Sequence, residues 1–472
     1  MANKGLDRVF NPRTVAVVGD KRGQDYFWLK SLTTFQGKAY SVQVDEGEIP
    51  GIKELGFENY ASLLDIPEPV DYVIVSVPRK VAPLILEECI RKGVGGATFF
   101  TSGFAETDTQ EGIGLQNTLT EMAREAGFNL IGPNCMGIFN PSIGLRFSPM
   151  QYHGHGGKVA FISQSGTHTL LFSLVGEASG VRVSKSVSFG NAVVLDSPDY
   201  MEYFAQDSET KVLAMYIEGV KDGRRFYNTL KETASKKPVL VWKGGQTQDG
   251  ARAASSHTAA LATSQAVWEA MVRQVGAINI NDMDDLIDTI KALLHIKPIK
   301  GPRMGLVAMT GGQSVIISDA FAKAGFQVPE FTPESYRELA SFIRLVGASY
   351  RNPLDVSWSL GEVDRALRIL HILEKDDNVD TIVLELNKTF LEEGVSLKKR
   401  KKFTTDLIRV LGEFRERSSK PFFTIVIPCN KEVEALNLSK ALMEKGIASY
   451  PTFKRGAQAL RRVADYYLAR SV

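Results

Sequence analysis

Cysteine is scarce in this chain: 472 residues hold three, Cys89, Cys135 and Cys429. They are widely separated, odd in number and form no CxxC pair, which excludes a disulfide framework. The six histidines make no cluster at metal-ligand spacing, so structural zinc is not expected. Net charge is almost absent. With 56 Lys+Arg against 54 Asp+Glu, a balance of +2, the whole chain offers no electrostatic ground for nucleic acid or an anionic membrane as partner. Any anion site must be local. No stretch approaches the roughly 18 apolar residues that span a bilayer, and the opening MANKGLDRVFNPRTVAVVGD has neither the hydrophobic core nor the cleavage site of a signal peptide. The expectation is a reduced, cytoplasmic protein. A glycine fingerprint is lacking too: after the first apolar run come only Gly19 and Gly23, which is not GxGxxG.

What is present is ordinary globular material, 44% hydrophobic and 23% charged, long enough for two to four domains. Short runs rich in Val, Ile and Phe alternate with amphipathic segments, the pattern of an α/β protein with parallel sheets. Strands are predicted at Thr14–Val18, Tyr72–Val77, Ala97–Thr101, Lys158–Ser163, Val212–Ile217, Pro238–Trp242, Met304–Met309, Thr381–Leu386 and Phe422–Ile427. Helical periodicity marks Lys80–Lys92 and Gln110–Ala126. Polar, Gly- and Pro-containing stretches at Ser148–Gly157 and Ile296–Arg303 read as connections. They divide the chain into three doubly wound units, residues 1–147, 157–297 and 302–472.

Loops after parallel strands are where such folds bind ligands. Gly19, followed by Lys21 and Arg22, ends the first strand and either allows a tight turn or borders a ligand. FFTSGFAET (99–107) and IGPNCMGIFNP (131–141) are binding loops or plain turns. KVAFISQSGTHTLL (158–171) runs from a strand through Ser163-Gln164-Ser165-Gly166 to a helix expected at Thr167, a geometry that suits phosphate, although Ser165 alone could be an ordinary cap. KGGQTQDGARAASSHTAAL (243–261) has few apolar anchors and places His257 beside Ser255, Ser256 and Thr258. That histidine is either an exposed side chain or a nucleophile, and a nucleophilic imidazole needs an orienting carboxylate. Glu218, at the end of Val212–Ile217, can serve, or it can cap the next turn or pair with Arg224 or Arg225.

Together FTSGFAET, GPNCMGIFNP, ISQSG, VSFGNAVVLD, IEGVKDGRRF, KGGQTQDGARAASSHTAAL and NPLDV resemble the α-type half of ADP-forming acyl-CoA synthetases, relatives of succinyl-CoA synthetase. The resemblance implies a Rossmann-like CoA-binding domain followed by two flavodoxin-like ligase domains. It implies that His257 is phosphorylated with Glu218 as its carboxylate partner. Ser163, Gln164, Ser165, Gly166 and Ser256 would hold the phosphoryl group. CoA would lie along Gly19, Lys21, Arg22, Val77, Pro78, Ser102, Gly103, Asn134 and Cys135. A separate ATP-grasp β-type subunit would bring Mg²⁺ and ATP or ADP, making a hetero-oligomer, since no segment of this chain resembles an ATP-grasp site. Acyl-CoA and a small carboxylic acid are the implied substrates.

Two departures from the family pattern stand out. The first loop, GDKRGQDYFWLKSL, is shorter than the usual GASxxxGxxG, and the next strand ends in acidic VQVDEGEIPG in place of an Asn-Pro-Lys turn. They motivate a second possibility, a non-catalytic CoA- or acyl-CoA-binding scaffold. A dinucleotide-dependent oxidoreductase would fit the fold type but account for neither His257 nor Glu218.

Overall fold

Runs such as Thr14–Val18 and Val212–Ile217 are buried at every position, as parallel strands covered on both faces must be. In the computed structural model, which describes residues 5–252, 264–343, 347–356, 362–391 and 397–470, these runs are inner strands of three sheets. The first comprises β1 (Thr14–Val18), β2 (Lys38–Val42), β3 (Glu58–Tyr60), β4 (Tyr72–Val75), β5 (Gly96–Phe99) and β6 (Leu130–Ile131). All are parallel, in the order β3-β2-β1-β4-β5-β6. This is the Rossmann order, with its crevice where the chain reverses direction between β1 and β4.

The second sheet holds β7 (Gly137–Phe139), β8 (Val159–Ser163), β9 (Val183–Ser188), β10 (Val212–Ile217), β11 (Val239–Lys243) and β12 (Ile278–Ile280), in the order β12-β11-β10-β8-β9-β7. Only β7 is antiparallel. The third holds β13 (Met304–Ala308), β14 (Leu354–Asp355), β15 (Thr381–Asn387), β16 (Phe422–Ile427) and β17 (Ser449–Tyr450), in the order β14-β13-β15-β16-β17. Leaving β7 aside, both sheets have the flavodoxin-like order 2-1-3-4-5. Alternate residues of the third sheet feed opposite cores: Val307 and Leu384 join one apolar cluster, Leu306 and Val383 the other.

The described residues fall into two compact units, 1–177 with 181–282, and 178–180 with 283–472. The first unit contains the first two sheets and the second unit the third. Within the first, the Phe10 ring stacks on Tyr203 at 4.6 Å and packs edge-on against Phe204. The stretch read as a connection from Ser148 begins packed. Ser148 and Gln151 are buried, and the Gln151 amide takes the Phe147 N–H and donates to Ser173. The helix expected at Thr167 begins one residue earlier, at Gly166. No helix among the described residues is long and apolar enough to cross a membrane.

Candidate active site

The carboxyl edge of the second sheet gathers most of the residues singled out for phosphate chemistry. Ser163 ends β8 fully buried, and its hydroxyl accepts the Ser165 N–H at 3.1 Å and donates to the Ser165 carbonyl at 2.8 Å. This tightens the turn into the helix Gly166–Ala178. The Ser165 hydroxyl caps that helix, accepting the His168 N–H at 3.3 Å and lying 3.0 Å from the His168 Nδ1. Among the described residues the Gly166 and Thr167 N–H groups have no partner, and they sit at the positive end of a helix of 13 residues. Gly166 is required by contact: a Cβ there would meet the Met136 side chain at 2.6 Å.

Gln164 reaches the neighbouring strand. Its carbonyl oxygen accepts the N–H groups of Glu218 and Gly219, which pins the turn after β10 to the turn after β8. Lys243, at the end of β11, donates to the Glu218 carbonyl at 2.7 Å and the Gly244 carbonyl at 2.6 Å. Burial lowers its pKa, opposed by Glu218. The Glu218 side chain hydrogen-bonds the Tyr216 phenol, whose pKa rises through burial first and then the nearby carboxylate. A Cβ on Gly244 would lie 3.3 Å from the Glu218 Cγ. Glu218 therefore stands beside the first residues of the loop that leads to His257. Asp222 caps the next helix, and Arg225 pairs with Asp199 at 2.9 Å. His257 and Ser256 lie outside the described residues.

Sequence reasoning missed the aromatic group behind this edge. His168 stacks on Tyr216 at 4.2 Å and meets Trp242 edge-on at 4.8 Å, and burial lowers its pKa. The only sequence signal was helical spacing from Ser165.

Along the first sheet the candidates line up as the topology requires. Gly19 has φ of 85° and lies against the end of β4, where a Cβ would meet Val77 at 2.6 Å and the Ser76 carbonyl at 2.8 Å. Thr101 donates to the Val77 carbonyl at 2.6 Å, and the Asn134 N–H to the Thr101 carbonyl at 3.0 Å. Ser102 and Pro78 are exposed beside them, and the Gly103 carbonyl accepts from Arg79. Asn134 is exposed in a left-handed conformation, whereas the Cys135 thiol is buried towards the Phe99 and Ile131 carbonyls, so that this side chain packs. Lys21 and Arg22 are exposed. The same loops meet the second sheet's edge: a Cβ on Gly190 would lie 2.3 Å from the Asn134 carbonyl, and the Asn191 amide donates to Glu106 at 2.6 Å.

The first loop holds the largest surprise. Asp20 is buried, and its carboxylate accepts the Leu29 N–H at 2.8 Å and the Lys21 N–H at 3.1 Å. Burial pushes it up to about 6 against the pull of those bonds. Glu48 accepts the Arg22 N–H at 2.8 Å and the Tyr26 hydroxyl at 2.8 Å, bonds that lower its pKa. Among the described residues no group of three His, Cys, Asp or Glu side chains could hold a metal.

Comparison with known proteins accords with this geometry. Residues 13–141 match the model of a CoA binding domain, and residues 156–293 that of the succinyl-CoA ligase like flavodoxin domain. The chain is 39% identical over 391 residues to acetate–CoA ligase [ADP-forming] I of Archaeoglobus fulgidus, an alignment covering 81% of this chain and 55% of that protein. It thus spans about half the length of that relative. It is 38% identical over 384 residues to the α subunit of acetate–CoA ligase [ADP-forming] II of Pyrococcus furiosus, covering 80% of this chain and 81% of the subunit. Its fold matches that of the dinucleotide forming acetyl-coenzyme A synthetase 1 of Candidatus Korarchaeum cryptofilum, solved with phosphate and ADP, with a TM-score of 0.83 at 28% identity over 99% of this chain and 98% of the other. Two parallel-sheet edges with a carboxylate and a helix start, in a chain this similar along most of its length, place it in the family of ADP-forming acyl-CoA synthetases, among their α-type subunits.

Proposed function

We propose that the chain is the α-type half of a catalyst that interconverts acyl-CoA, ADP and phosphate with a carboxylic acid, CoA and ATP. Its three α/β units act as a CoA-binding domain and two ligase domains. Phosphate attacks the thioester carbonyl and the CoA thiolate leaves, giving an acyl phosphate. A nitrogen of His257 then takes the phosphoryl group and the carboxylate departs. ADP, held with Mg²⁺ on an ATP-grasp partner, receives the phosphoryl group from the histidine.

The observation that carries this is the position of Glu218 at the end of β10, fixed through its backbone by Gln164 and Lys243 and adjacent to Gly244. A carboxylate there meets an imidazole delivered by the segment that follows β11. It selects one tautomer and supports the positive charge that develops when the other nitrogen is loaded. Gly166 and Thr167 offer the phosphoryl oxygens two N–H donors at a helix start, and Ser256 adds a hydroxyl.

With the ATP-grasp partner and Mg-ATP, the chain should acquire one acid-labile, base-stable phosphoryl group on the peptide containing His257, located by mass spectrometry at neutral pH. His257→Ala should abolish the label. Glu218→Gln should preserve the fold while slowing phosphorylation by about 10² to 10⁴, by analogy with loss of a triad carboxylate. A label on serine, or full turnover by His257→Ala, would refute the mechanism.

A further inference from the structure

A Rossmann-type sheet receives the phosphates of a nucleotide on backbone N–H groups where β1 turns into its first helix. In this chain those donors are already engaged by the protein's own anions. The Leu29 and Lys21 N–H groups bond Asp20, and the Arg22 N–H bonds Glu48. Asp20 is 0% exposed, so it cannot swing aside without giving up those bonds inside the protein. Glu48 is tied by the Tyr26 hydroxyl, and Tyr26 lies over Gly51, where even a Cβ would come within 2.2 Å of the phenol oxygen. The helix behind the loop, Phe27–Leu32, has only six residues and supplies little dipole to offset two carboxylates.

We propose that Asp20 and Glu48 close the phosphate seats of the first sheet to the nucleotide end of coenzyme A, so that this chain recognises its thiol substrate through the pantetheine arm. This rests on the reading of the chain as an acyl-CoA synthetase subunit. The loops after β4 and β5 remain for the arm; in the second the Glu106 carboxylate takes the Gly103 and Phe104 N–H groups at 2.6 and 3.2 Å, which closes that seat to phosphate in the same way. Asp20 and Glu48 thereby set specificity: a phosphoanhydride approaching the loop meets two negative charges and backbone donors already taken, which the exposed Lys21 and Arg22 side chains offset only in part.

The test is calorimetric titration of the full chain at neutral pH and fixed salt with CoA and with pantetheine, for the wild type, Asp20→Ala/Glu48→Ala and Asp20→Asn/Glu48→Gln. The wild type should bind CoA no more than about threefold more tightly than pantetheine, and vacating both seats should tighten CoA by about tenfold or more while leaving pantetheine unchanged. The Asn/Gln variant, which keeps the shape and removes the charge, should show a smaller gain of the same sign and serves if the alanine variant fails to fold. A wild type that already prefers CoA by about tenfold, or folded variants with no gain, overturns the inference. Labelling of His257 in the same preparations separates the two ideas. A label without any gain in CoA affinity sinks the inference alone, and a gain without a label sinks the catalytic mechanism alone.

Discussion

Glu385 carries a charge that its surroundings do not support. It lies fully buried in β15, takes the Met309 N–H on one oxygen at 2.9 Å, and has no partner for the other among the described residues. Burial first, and then the Asp355 carboxylate, push its pKa up to about 7. A folded-state value above the unfolded one means that the native protein holds the proton longer. The penalty is absent at low pH, grows as pH climbs through the ordinary glutamate range, and is complete above about 7. Glu385→Gln should therefore gain stability over the wild type by about 3 kcal/mol at most between pH 5 and pH 8. Urea denaturation of both proteins across that range measures it, and parallel profiles would show that the carboxylate finds a partner in solution. Asp20 poses a related problem and explains a gap in what the sequence discloses. Its bond to Leu29, nine residues away, depends on how β1 enters the next helix, which no local pattern encodes. Glu218 was legible because the apolar run before it ends at Ile217, fixing the acid at a strand edge.

Lys185 shows why some strands escaped sequence reasoning. β9 reads VSKSVS and is buried at all six positions, yet its polar residues conceal the apolar run expected of a covered strand. The lysine is accommodated because its ammonium is 3.2 Å from Asp207 and also bonds Glu209. Lys185→Met keeps the volume but leaves Asp207 short of its cation, and it should cost about 3 kcal/mol, the usual result of removing one member of a buried pair. A drop in thermal midpoint within error of zero would show the pair to be expendable. The nine strands that were anticipated all appear, some shifted by one or two residues, because they are mostly apolar runs. Of the others overlooked, β6, β14 and β17 have only two residues each. Pairing with a longer neighbour creates them, and their own sequence carries almost no signal. The helix Gly166–Ala178 was visible from SQSG, but the His168–Tyr216–Trp242 group was not, since its members come from three elements.

At the level of the whole chain, the proposed chemistry assigns ADP phosphorylation, which relies on metal-bridged phosphates, to an ATP-grasp partner. A homogeneous preparation of this chain should release no ATP from acyl-CoA, ADP and phosphate, and adding an ATP-grasp partner should start turnover in a coupled luciferase assay. Sustained ATP release by the chain alone would contradict the division of labour. The antiparallel strand β7 adds a constraint of another kind. Gly137–Phe139 follows directly on the first sheet in sequence, but its hydrogen bonds go to β9 of the second, and Ile138 and Phe139 are buried. A gene fragment ending just after this strand would encode a sticky edge with its partner missing. Recombination between relatives could exchange the first two segments only as a single inherited block, whatever happens to the third.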